Sequence, residues 1–239
     1  MNIERIPWDS EFFGIEIGRG IWSTAIENKY IPKACEGFDL VYLNQDPSIT
    51  SNSAKNHPEA FDAGVKLTFV KSLANVDSSL SLPDRIIHLR ESSTALEQLA
   101  LISGHQSRYR LDPRFPNLLF EKLYRHWIRA TIDGLWDASV LGFMQGNQLT
   151  GFVTVEFPES GARIGLVAVH PDSQGQGIGK QLIDAAGIEA MRKGGSKLTV
   201  STQGTNESAK LTYLKGGFML HSTIQQYHWW NPNNVTVES

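Results

Sequence analysis

A single cysteine stands among 239 residues. Cys35 therefore has no partner for an internal disulfide, and thiolate metal clusters are excluded. Long apolar runs are missing too. No window approaches ~18 uninterrupted apolar residues, so no membrane-spanning helix is expected. Neither sign of charge prevails: 22 basic residues face 25 acidic ones, for a net charge of −3. Without a basic stripe the chain is not expected to bind nucleic acid. The opening MNIERIPWDSEFFG carries acids where a secretory signal needs a basic end and an apolar core. A soluble, cytoplasmic protein is expected. There is no repeat at solenoid spacing and no low-complexity tract. The seven histidines (His57, His88, His105, His126, His170, His221 and His228) show no metal-ligand spacing, and no metal site is expected.

What is present is a globular chain with 41% hydrophobic residues, long enough to fold without staples. Its length suits one large domain, or one ordinary domain with a smaller one attached. Residues 45–63, rich in Pro, Ser, Asn and Asp, read as a long surface loop, and VDSSLSLPDR at 76–85 as a boundary. A smaller N-terminal α/β domain is thus expected over 1–82 and the main domain over 83–239. Before the boundary, strands are expected at 38–43 and 65–70 and a helix within 24–36. After it, strands at 85–89, 139–144, 149–157, 161–170, 197–202 and 218–229 alternate with helices at 95–103, 115–133, 177–192 and 206–215. The class is α/β with a mixed sheet.

The informative stretch runs from Val167 to Lys180: strand, turn, glycine loop, helix. Gly175, Gly177 and Gly179 remove Cβ atoms from alternate positions. The backbone can lie against a ligand and aim N–H groups at it as the helix begins, an arrangement suited to phosphate. A Walker A loop is excluded, because Gln174 stands where its first Gly is needed and Gln181 where Ser or Thr is needed. A Rossmann fingerprint fails at Lys180, where its third Gly would fall.

Gln174-x-x-Gly177-x-Gly179 resembles motif A of the GNAT acetyltransferase superfamily. Asn206, Ala209, Tyr213, Lys215, Gly217 and Phe218 likewise fall in register with its motif B, N-x-x-A-x-x-x-Y-x-K-x-G-F. The resemblance implies a GNAT fold, a mixed central sheet flanked by helices, and acetyl-CoA as the acetyl donor. It implies that Gln174, Gly175, Gln176, Gly177, Ile178, Gly179 and Lys180 hold the pyrophosphate of coenzyme A. Val167, Ala168 and Val169 would lie beside the pantetheine arm, with Asn206 presenting its amide to the cofactor. The N–H of Val169 or Ala168 would receive the oxyanion, and Tyr213 would act as general acid to the departing sulfur. A phenol is protonated at physiological pH and can donate. Glu156, on the polar side of an alternating strand, is the candidate base, with a water chain to bulk as the alternative.

The string Trp8-Asp-Ser-Glu-Phe-Phe-Gly14 and the segment Ser107–Phe115 resemble bacterial nucleotide-sugar N-acetyltransferases, the TDP-fucosamine acetyltransferases among them. They imply a TDP- or UDP-linked amino sugar as the acceptor. Arg108, Arg110 and Arg114 place three guanidinium groups on one short segment, suited to a diphosphate, and Tyr109 can stack on a base or sugar. Two alternatives stay open: another small amine (amino acid, polyamine, antibiotic), and a non-catalytic acyl-CoA-binding module. Trp8, Phe12 and Phe13 read as core of the smaller domain. Trp229 and Trp230, at the end of the last strand, read as cover for a sheet edge or a homodimer contact.

Overall fold

Strands with alternating apolar and polar residues form the platform on which the rest of the chain is mounted. The computed structural model describes residues 2–22, 31–46, 57–74, 81–159 and 161–232. Among them ten strands form one sheet. Its order is β1 (Ile3–Arg5), β2 (Ile17–Trp22), β3 (Leu40–Gln45), β10 (Met219–Trp230), β4 (Ala60–Ser72), β9 (Lys197–Gln203), β8 (Ala162–Val169), β7 (Gln148–Glu156), β6 (Ala138–Gln145) and β5 (Ile86–His88). The pairs β2–β3 and β8–β9 are parallel and the others antiparallel, so the sheet is mixed as expected.

The two faces carry different helices. On one, α6 (Ile178–Arg192) presses Ile178, Leu182, Ile183 and three small residues, Ala185, Ala186 and Ala190, onto Val153, Val155, Leu198 and Val200. The alanines let the helix sit close. Removing a fully buried side chain such as Leu182 from a core like this costs about 2–5 kcal/mol. The short α7 (Glu207–Lys215) adds Tyr213 to the same cluster. The opposite face holds α1 (Pro7–Phe13), α3 (Thr94–Ser103), α4 (Arg108–Leu111) and α5 (Asn117–Ile132), packed on Leu40, Tyr42, Val140, Phe152 and Ala168. Ser93 caps α3, its hydroxyl accepting from the Leu96 N–H at 3.2 Å. Glu97 of α3 accepts from Arg129 and Arg125 of α5 at 2.6 and 2.9 Å, which ties the two helices together. Cys35, beside the short α2 (Ile31–Ala34), is fully buried, and burial pushes its thiol up to about 12. It is an un-ionised core side chain.

The strands of residues 1–82 and of 83–239 are continuous in this sheet. β3 pairs with β10, and β4 lies between β10 and β9. Phe69 and Leu73, next to the expected boundary, belong to the α6-side core.

Several elements differ from expectation. β4 begins at Ala60 rather than 65, because β10 pairs with Ala60, Phe61, Asp62 and Gly64 and that pairing overrides the loop-forming Asp62 and Gly64. Gly64, at φ +83°, sits where the β4–β10 register shifts, and so absorbs the irregularity. Residues 47–56 of the expected loop, and 24–30 of the helix expected within 24–36, lie outside the described residues; the described part of that helix holds α2. Pro116 precedes α5 as its N-cap instead of sitting in its first turn, and Phe115 is buried edge-on to Phe13 at 5.0 Å. Phe13 is core as expected, but Trp8 is 39% exposed and stacks on Phe12.

The reading of Trp229 and Trp230 is overturned. β10 is flanked by β3 and β4, both indoles are buried, and Trp230 donates to Asp112 at 2.8 Å. They cover no edge, and that ground for a dimer contact falls away.

Candidate functional site

The parallel neighbours β8 and β9 do not stay together. Pairing runs from Ala162↔Leu198 to Ile164↔Val200 and stops. Against β7 the register of β8 jumps between Val153 and Val155, so β8 carries an extra residue around Gly165 and Leu166. Thr154 Oγ1 accepts from the Leu166 N–H at 2.8 Å and holds the bulge on the β7 side. Beyond it, Leu166 to Val169 diverge from Ser201 to Gln203, and these two arms line a cleft of about 1220 Å³. The His170 N–H donates to the Thr150 carbonyl at 2.8 Å. Strand alternation then turns the backbone of Ala168 toward β7 and that of Val167 and Val169 toward the cleft.

The glycine loop closes one end. Gly175 and Gly177 have φ of +77° and +75°, and Gly177 caps α6 in the left-handed conformation. No neighbouring atom lies within 4 Å of where their Cβ atoms would stand, so both positions border open space. Gln174 Nε2 donates to the Val169 carbonyl at 3.1 Å, pinning the loop to β8. Gln174, Gly175, Gly177, Ile178, Gly179 and Lys180 all line the cleft. Gln176 is not among them; its side chain accepts from Gln145 at 3.0 Å. Lys180 lines the cleft while paired with Asp184 at 2.5 Å.

Asn206 caps α7, its Oδ1 accepting from the Ala209 N–H at 3.1 Å, which leaves its amide N–H groups for the cleft it lines. Tyr213 lines the same cleft with its ring against Phe69 and Phe218, and burial pushes its phenol above the ordinary value. Glu156 does not line the cleft. It bonds Arg163 at 2.6 Å, and its carboxylate lies over Gly165 where a Cβ would collide with it.

The three arginines of 108–114 part company. Arg108 lines the cleft, 3.9 Å from the Tyr42 ring centroid, and donates to the Tyr109 hydroxyl at 2.9 Å. Tyr109 lines it as well. Arg110 lies over Phe120, and Arg114 donates to the Glu59 carbonyl at 3.0 Å; neither reaches the cleft.

Sequence reading passed over the far wall. Arg19 of β2, Asn44 of β3, Lys66 of β4, Gln226 of β10 and Arg163 of β8 line the cleft with Arg108. Ile17, Tyr42, His228 and Ser201 mark the face of the sheet these polar residues share, the one that carries α1, α4 and α5. Burial lowers the Lys66 pKa, and the charges of Arg108, Arg163 and Arg19 lower it further. The available signal was a charged residue inside an apolar strand, as in IGRGIW and GVKLTFV.

Phosphate-directed backbone, split strands and a buried phenol in one cleft suit an acyl-CoA thioester. Comparisons with known proteins agree. Residues 136–220 match the acetyltransferase (GNAT) domain family. Over 231 residues, 93% of this chain and 95% of the relative, the sequence is 28% identical to a protein of Escherichia coli O6:H1 named dTDP-fucosamine acetyltransferase. Among solved structures, a functionally unknown conserved protein from Staphylococcus epidermidis shares the fold at a TM-score of 0.63, with 16% identity over 91% of this chain and 84% of that one. A GCN5-related N-acetyltransferase from Sphaerobacter thermophilus gives a TM-score of 0.50 and 15% identity, over 79% of this chain and 59% of its own. The chain has the GNAT fold and is an N-acetyltransferase, with a GNAT acetyltransferase domain at residues 136–220.

Proposed function

We propose that the enzyme transfers acetyl from acetyl-CoA to the amino group of a nucleotide-linked amino-deoxy sugar by direct attack on the thioester. One observation carries the reading: a single cleft joins the glycine loop and split strands to a second compartment lined by Arg19, Lys66, Arg108 and Arg163. No Asp or Glu lines any of it among the described residues. Such a wall favours an anionic acceptor. The relative named dTDP-fucosamine acetyltransferase supplies the sugar class.

The residues fit the donor: Gly175 and Gly177 border open space, and the first-turn N–H groups of α6, at Ile178, Gly179 and Lys180, have no partner within the helix and so can take a pyrophosphate. Acetyl-CoA supplies the activated acyl group. Val167 and Val169 direct N–H groups into the split, where the carbonyl oxygen gains negative charge as the amine attacks. The new N–C bond forms as the C–S bond breaks, the amine proton leaves to water, and Tyr213 protonates the departing thiolate before regaining a proton from solvent. Burial keeps its phenol protonated across the physiological range. The cationic wall disfavours an ammonium, so it helps present the acceptor as a free amine. Glu156 contributes by holding Arg163 in place.

The test is free-thiol release from acetyl-CoA with TDP-4-amino-4,6-dideoxygalactose, its UDP counterpart and the free amino sugar. Turnover confined to the nucleotide-linked acceptors is expected. Turnover of the free sugar with equal kcat/KM, or silence with all three, overturns the acceptor assignment.

A further inference from the structure

The cationic wall has a position and a charge that the glycine loop does not explain. Arg163 lies six residues before Val169 on β8, about 20 Å along the strand from where the loop begins. A phosphate held by the loop is out of its reach. Around it, Arg19, Lys66 and Arg108 come from three other elements, and Lys66 senses all three arginines. Two carboxylates act on the cluster from outside the cleft lining: Glu156 on Arg163, and Asp9, whose carboxyl is raised by burial and drawn back by Arg108 and Arg19. Among the described residues Arg19 and Lys66 have no ion-pair partner. Four cations against two carboxylates leave an excess of two positive charges. Lys66 and Arg108 are half-buried and Arg19 and Arg163 exposed, so the excess cations crowd one wall of the cleft, a repulsion that is offset where an anionic ligand supplies the missing charge.

We infer that Arg19, Lys66, Arg108 and Arg163 form a binding site for a dianionic diphosphate, that of the nucleotide-linked acceptor. This rests on the reading of the reaction given above. It places the acceptor's phosphates on the sheet face, held by side chains of β2, β4 and β8, with Arg108 as the one contributor from residues 108–114. Asn44 and Gln226, joined by a 3.2 Å hydrogen bond, lie between Arg19 and Lys66 in the strand order and offer neutral polar contacts in the same cleft.

Calorimetric titration with thymidine diphosphate, and with thymidine as the phosphate-free control, tests the site in the full chain. Wild-type protein is expected to bind the diphosphate, with affinity that weakens as salt rises, and to ignore thymidine. Arg19→Gln and Lys66→Met should each weaken diphosphate binding tenfold or more while coenzyme A affinity stays within twofold, which also reports that the variants are folded. Diphosphate affinity equal in wild type and folded variants overturns the site. So does wild-type binding that is indifferent to salt, a measurement that needs no variant. If the diphosphate depends on the cluster yet no amino sugar is acetylated, the site stands and the reading of the reaction falls. If nucleotide amino sugars are acetylated with unchanged KM by both variants, the reaction stands and the site falls.

Discussion

The two ends of the cleft are built on opposite principles. At the loop end the lining is a short glycine-rich stretch of backbone, from six of the seven residues between Gln174 and Lys180. At the far end it is made of side-chain cations from β2, β4, β8 and α4, residues as distant in sequence as Arg19 and Arg163. Backbone recognition needs only a shape, and a shape is set by where glycine permits positive φ and close approach. Side-chain recognition needs the whole sheet to be assembled first. The loop end is therefore expected to be intolerant of added bulk and tolerant of lost charge. The far end should behave the other way round.

The largest effect should come from breaking the loop's shape. Gly177→Val puts a β-branched residue at φ +75° and a side chain into the open space beside the loop. The left-handed conformation alone costs about 1–2 kcal/mol, and the branched side chain would occupy the phosphate's place. Coenzyme A affinity should fall at least about a hundredfold by calorimetry, with diphosphate binding at the far end intact. Retained affinity would show that the loop is only a tight connection. Next comes the phenol between the two ends. Tyr213→Phe should lower kcat by about a hundredfold and leave the coenzyme A dissociation constant within twofold, the split expected of a proton donor. An unchanged kcat would remove Tyr213 from the proton's path.

The far end also rests on a titratable floor that the loop end lacks. His228, fully buried beneath Tyr42 and Tyr109, is joined through Nδ1 to Asp112 at 2.7 Å, and its Nε2 has no partner among the described residues. Burial lowers the His228 pKa from 6.5 to about 4, against the opposing pull of Asp112. A histidine kept neutral in the fold gives up stability as the unfolded chain takes a proton. The loss should thus begin as pH falls through 6.5 and level off near 4, at about 3 kcal/mol in total. Burial raises the Asp112 carboxyl, but hydrogen bonds from His228 and Trp230 bring it below its ordinary value, so it adds loss of the same sign at still lower pH. Urea unfolding at several pH values should show this slope, and His228→Gln should flatten it between pH 6.5 and 4. A slope unaffected by His228→Gln would place the pH dependence elsewhere.

Legibility in the sequence follows the same division. Helix α6, with Ile178 and Leu182 on its buried side, and the strand–loop–helix around Gly177 are visible because their periodicity and glycine spacing are local. So is α7, where Asn206 and Tyr213 lie within two turns. The split of β8 from β9 is not legible, since it depends on a bulge held by Thr154 from a third strand. Nor is the placement of β4, whose partners on either side begin 197 and 219 residues into the chain. Arg110 and Arg114 show the error that spacing alone invites. They are neighbours of Arg108 in sequence, yet a four-residue helical turn sends the three side chains to different places. Trp229 and Trp230 looked like edge cover because the last strand in a chain often lies at an edge; here β4 closes over it.

The smallest expected effect sharpens the comparison most directly. Lys180 is the one cation of the glycine loop, and it lies closer in sequence to the loop amides than any other charge. If charge held the donor's phosphates, Lys180→Gln would weaken coenzyme A as severely as Lys66→Met is expected to weaken the diphosphate. The structure gives Lys180 a different setting. Its ammonium is paired with Asp184 one turn along α6, and its side chain is about half exposed. Solvent screens such a charge, and the local pair already offsets it. The amides of the first turn and the helix dipole remain in the variant, and in the proposed reading these make the anion site. Coenzyme A affinity is therefore expected to fall only about threefold in Lys180→Gln, against tenfold or more for diphosphate in Lys66→Met. Equal losses in the two titrations would mean that side-chain charge governs both ends, and the division between a backbone-built and a side-chain-built site would be wrong.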